Sequence, residues 1–64
     1  IKEKEAQLLT FLQENPYITV KRYAGLAQVS FSKAEDLLAT FIRWEVLDWD
    51  FNGKFFEYFL RQPS

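Results

Sequence analysis

The pair Asn52-Gly53 stands between two runs of strand-forming residues, and it constrains the chain more than any other feature. A two-residue turn of type I′ needs positive φ at both central positions, which asparagine and glycine accept most readily. Before the pair, Leu47, Trp49 and Phe51 alternate with Asp48 and Asp50. After it, Phe55 to Leu60 is rich in aromatic residues of high strand propensity. The pattern predicts a hairpin over Val46 to Leu60. A two-residue turn would set Trp49 opposite Phe56 and Leu47 opposite Tyr58 on a core face. The other face would pair Asp50 with Phe55, Asp48 with Glu57 and Val46 with Phe59. That face sets two acids side by side and leaves Phe55 and Phe59 near water.

The residues before the hairpin follow a helical period. Leu8, Leu9, Phe11 and Leu12, with Ile1 and Ala6, recur at helical spacing from Lys2 to Glu14, with Lys2, Glu3, Lys4, Glu5 and Gln13 mostly opposite. Asn15-Pro16 ends this helix, because proline disfavours helical geometry in the residue before it. After a short extended Tyr17-Ile18, Thr19 is expected to cap a helix of about eight residues carrying Val20, Tyr23, Ala24 and Ala27 on one face. Gly25 weakens it. Ser32-Lys33-Ala34-Glu35 fits a capping box and predicts a third helix from Ser32 to Trp44. Its apolar stripe is Ala34, Leu37, Leu38 and Phe41, and its opposite face is Ser32, Glu35, Asp36, Ala39, Thr40 and Arg43.

These elements must hold together by packing alone. The 64 residues include no cysteine, histidine or methionine, which excludes a disulfide scaffold, a zinc knuckle and a histidine-based active site. A domain of this size buries only roughly 60% of its unfolded surface. The chain offsets that with 12 aromatics, 7 Phe, 2 Trp and 3 Tyr, each able to bury roughly 150–250 Å². Phe11, Tyr23, Phe41, Trp49, Phe56 and Tyr58 are expected in the core. Catalysis is not expected. Glu35 and Asp36 are carboxylates on a helix exterior, Ser30 and Ser32 lack a base, and there is no glycine-rich phosphate loop. No cofactor or metal is implied. No apolar run approaches the roughly 18 residues of a membrane span, and no secretory signal pattern is present. With no cysteine, the composition fits a cytoplasmic protein. The chain opens at Ile1 directly into a helical pattern. It reads as one domain, residues 1–61, of a longer protein, with a loose tail at 62–64.

The order is helix, short strand, helix, tight turn, helix, hairpin. Ile18-Thr19-Val20-Lys21-Arg22-Tyr23-Ala24-Gly25-Leu26-Ala27-Gln28-Val29-Ser30, followed by Phe31 to Leu47, resembles a winged helix-turn-helix domain. That family has a small α+β fold, three helices with a C-terminal β-hairpin wing. Ala24 in the middle of helix two, the Val29-Ser30 turn, the apolar spacing of helix three and a hairpin after Val46-Leu47 carry the likeness over nearly the whole chain. It is similar to the appended winged domains of MarR-like regulators and of RecG-related ATP-binding proteins. Gln28 and Glu45 depart from the pattern, since each stands where such domains often carry glycine. The resemblance implies binding to double-stranded DNA in transcription regulation or DNA processing. Helix three would enter the major groove, and the wing would lie on the backbone or minor groove. Carried onto this chain, Ser32, Lys33, Asp36, Ala39, Thr40 and Arg43 would face the groove. Lys21, Arg22, Lys33 and Lys54 would meet phosphates, gaining affinity through counterion release.

The charge distribution opens an alternative. Residues 1–34 carry five bases against three acids, residues 35–64 three bases against six acids, and the whole chain is at −1. The basic footprint usual for a DNA-binding domain is therefore only a thin rim. Trp44, Phe55 and Phe59 are hard to bury together in so small a domain, and exposed aromatics mark interfaces. The second expectation is a protein-interaction or dimerisation module using the acidic third helix and the aromatic wing face. Its partner would be the rest of a longer protein or a second copy of the chain.

Overall fold

The computed structural model describes residues 2–62. Three helices, α1 (Lys2–Glu14), α2 (Val20–Ala27) and α3 (Phe31–Arg43), precede an antiparallel hairpin of β1 (Leu47–Phe51) and β2 (Phe56–Leu60). This is a small α+β domain whose topology is consistent with a winged helix. Ile1, assigned from its spacing to the apolar stripe of the first helix, and Pro63-Ser64 of the expected tail lie outside the described residues.

The helix ends have local causes. Asn15 Nδ2 donates to the Phe11 carbonyl at 2.9 Å, closing α1 just before Pro16. Thr19, in extended geometry, accepts the Arg22 N–H at 3.2 Å and starts α2 as expected. Gln28 ends α2 in the left-handed region, and the Val29 N–H folds back onto the Ala24 carbonyl at 3.0 Å. The cap of α3 differs from the capping-box expectation. Ser30, not Ser32, accepts the Lys33 N–H, at 3.1 Å. The apolar neighbours decide between the two serines. A cap at Ser30 puts Val29 and Ala34 at the two positions of a hydrophobic staple, and both pack into the core. A cap at Ser32 would put Phe31 and Asp36 there.

The hairpin register also differs. Leu47 pairs with Leu60, Trp49 with Tyr58 and Phe51 with Phe56, two residues from the pairing expected of a tight turn. Asn52 is the reason. Its Oδ1 accepts the N–H groups of Lys54 and Phe55 at 2.9 and 3.0 Å, building an Asx turn within a four-residue loop. Gly53 takes φ 97°, which only glycine adopts cheaply. A slip of two keeps the strand side chains on their expected faces, because the side-chain period is two, but Phe55, expected on the outer face opposite Asp50, falls in the loop instead. It changes the partners: Asp50, not Asp48, now lies across from Glu57, and Asp48 faces Phe59. Asn52 Nδ2 donates to Glu57 Oε2 at 2.9 Å and offsets part of the repulsion there.

Ile18 joins the hairpin through an isolated bridge, exchanging two backbone hydrogen bonds with Tyr58, both at 2.8 Å. The backbone groups of Tyr58 therefore point away from β1, so those of Trp49, and by alternation Phe51, point to the open edge. On that edge Asp48 and Asp50 each accept the N–H of the next residue, at 2.9 and 2.8 Å. Donors already used in this way make β1 a poor template for another strand.

The core joins Leu8 and Leu12 of α1, Ile18, Val20 and Tyr23 of the second segment, Leu37, Leu38 and Phe41 of α3, and Leu47. Among the described residues every buried side chain is apolar or aromatic. Tyr23 is the joint. Its ring meets Phe41 edge-on at 6.4 Å, and its hydroxyl donates to the Lys4 carbonyl at 3.3 Å. Lys4 Nζ in turn donates to the Ala27 carbonyl at 3.1 Å, where the C-terminal end of α2 favours a cation. Phe11 and Tyr58, expected in the core, are half-buried against it. Trp49 and Phe56 are not core residues, with 49% and 45% of their surfaces exposed. Along β1 only Leu47 is buried, so beyond it the hairpin stands clear of the helices.

Candidate nucleic-acid interface

Where the hairpin stands clear, an open groove of about 570 Å³ runs between its inner face and the first turns of α2 and α3. Its floor follows from two apolar rows that run past the core. Phe31 lies three residues before Ala34 and seven before Leu38, so it prolongs the buried stripe of α3 by one turn. Phe51 and Phe56 continue the inner face of the hairpin past Leu47 and Leu60 in the same way. Phe31, Phe51, Phe55 and Phe56 all line the groove and are exposed. The Phe51 and Phe56 rings lie 5.0 Å apart, Trp49 meets Phe56 edge-on at 5.3 Å, and Tyr17 lies 6.4 Å from Phe55. The sequence reading gave Phe31 no role and put Phe56 inside. Counting the α3 stripe back from Ala34 would have found Phe31.

Two of the expected phosphate contacts come together here. Lys21, from the first turn of α2, and Lys54, from the wing loop, line the same groove. Glu35 lines it too and is the carboxylate among those side chains. Tyr58 forms part of the inner wall, and its hydroxyl pKa is raised, first by burial and then by the negative charge of Glu35. Lys33 and Ser32 stand exposed on the first turn of α3.

The other expected contacts are more engaged. The Arg22 guanidinium lies over the Phe11 ring, 5.5 Å from its centroid, on the side of α2 facing α1. Arg43 donates to Thr40 Oγ1 at 3.1 Å, and Thr40 Oγ1 donates to the Asp36 carbonyl at 3.0 Å. Asp36, Ala39 and Arg43 are exposed along α3, while Thr40 is half-buried. The three residues of the protein-interface expectation do not form one patch. Trp44 caps the far end of α3 against Phe41, Phe55 sits on the wing loop, and Phe59 is half-buried across from Asp48. The hairpin's outer face carries Asp48, Asp50 and Glu57.

Among the described residues no group of three or more acidic, histidine or cysteine side chains is placed to hold a metal ion. No described helix is long and apolar enough to cross a membrane. No family model, curated protein or solved structure significantly matches the chain.

Proposed function

We propose that this chain is a DNA-binding winged-helix module of a larger transcription regulator or DNA-processing protein. The exposed side of α3 enters the major groove of a duplex, and the wing rests on the backbone. The observation that carries this reading is the meeting of Lys21 and Lys54, distant in sequence, on one groove beside the first turn of α3. Lys33 stands on that same turn. Cations grouped at one end of a chain of net charge −1 give a local site for phosphate that the overall charge does not. The acids of the hairpin's outer face disfavour approach from that side, which orients the duplex toward α3.

The test is a fluorescence-anisotropy titration of a generic labelled duplex at several salt concentrations. Binding should weaken as salt rises, and Lys21→Ala or Lys54→Ala should each reduce the logarithmic salt slope by about 1. Affinity left unchanged by both substitutions overturns the reading.

A second reading, association with a protein partner or a second copy, draws on the exposed Phe51, Phe55 and Phe56. It expects concentration-dependent self-association or partner capture that Phe55→Ser abolishes while the domain stays folded.

A further inference from the structure

We infer that the groove between the wing and α3 takes an unpaired base, so that this module prefers a duplex carrying a single-stranded end over a blunt duplex. The inference rests on the DNA-binding reading and names the form of DNA that the same site selects. Four phenylalanine rings, Phe31, Phe51, Phe55 and Phe56, present 40–54% of their surface to solvent in one groove. A paired duplex hides the faces of its bases and offers phosphate and sugar, which give phenyl rings little to bury. An unpaired base offers a π-face, and stacking on an aromatic side chain is favourable whatever the base. A groove of about 570 Å³ has room for such a base together with its sugar and phosphate.

The charges favour a nucleic acid over an apolar peptide. Lys21 and Lys54 line the same groove as the rings, so a strand whose base stacks on them brings its phosphates to two ammonium groups. Glu35 opposes phosphate but can accept a hydrogen bond from a base amino group. The acids Asp48, Asp50 and Glu57 lie on the other face of the hairpin and repel the backbone there. A strand leaving the duplex is thereby directed to the inner, aromatic face.

The experiment compares three labelled ligands at one low salt concentration: a blunt duplex, the same duplex with a short unpaired tail, and the tail alone. The tailed duplex should bind roughly tenfold more tightly than the blunt one. Phe56→Ser and Phe51→Ser, both at exposed positions, should remove that advantage by lowering tailed-duplex affinity to the level of the blunt duplex. Circular dichroism verifies that each variant is folded, and Phe55→Ser provides a loop variant outside the strands. Equal affinity for blunt and tailed duplexes overturns the inference and leaves the DNA-binding reading standing. Failure of all three ligands to bind overturns both. Sedimentation showing a dimer that Phe51→Ser dissolves assigns the rings to a second copy and also overturns the inference.

Discussion

Gln28 and Glu45 hold φ at 57° and 62°, the left-handed region, and they end α2 and follow α3 respectively. Both are positions where the family resemblance expects glycine, and the structure supplies the physical reason. An L-residue there costs roughly 1–2 kcal/mol in steric strain. Glycine returns roughly 0.5–1 kcal/mol of that through its freer unfolded chain. Gln28→Gly should therefore stabilise the domain by roughly 0.5–1 kcal/mol, read as a higher urea midpoint. A lower midpoint would show that Gln28 makes a contact worth more than its strain. Glu45→Gly should gain less. It also removes the ion pair with Arg61 at 3.3 Å, whose partners are both well exposed and which is worth about 0–1 kcal/mol. Two departures visible in the sequence thus mark two strained residues, although the sequence alone does not say that the backbone keeps its left-handed turn there.

At the scale of elements, the chain's punctuation is local where one residue type answers one geometric demand. Pro16 stops α1, and Thr19 starts α2 with a hydroxyl at the right distance. The start of α3 was less legible because Ser30 and Ser32 both offer a cap, and Glu35 favours the wrong one. The choice turns on where Val29 packs, which is a tertiary matter. Ser30→Ala should cost about 1 kcal/mol, while Ser32→Ala should change stability by less than about 0.5 kcal/mol. Thermal melts of the two variants decide it, and equal losses would contradict the assigned cap. The hairpin divides in the same way. Alternation told which face each side chain takes, but the Asn52 side chain, by capping Lys54 and Phe55, lengthened the loop and moved the register by two.

The whole molecule couples Tyr23 and Tyr58 to its stability. Burial raises the pKa of both hydroxyls above the ordinary 10.0, and Glu35 adds to the rise at Tyr58. The folded state therefore keeps these protons to a higher pH than the unfolded chain does. Their contribution is fully present below the unfolded value and is lost as pH climbs from about 10 through the folded values. The urea midpoint should fall between pH 8 and pH 11, and Tyr58→Phe should lessen the fall. A midpoint that holds across that range would mean that neither hydroxyl resists ionisation in the fold.

The sequence by itself determined the element order, the faces of the helices and the hairpin, and the absence of cysteine and histidine chemistry. Those properties follow from side-chain periodicity, proline and glycine geometry, and composition, which need no information from distant residues. The tertiary structure decided how far the core reaches. Nothing local told that Trp49 and Phe56 would stand outside it, because burial depends on what lies across the gap rather than on the residue itself. The same limit hid the groove. Phe31, Lys21 and Lys54 come from three elements, and only the divergence of the hairpin from α3 places two cations and an unburied aromatic row on one surface.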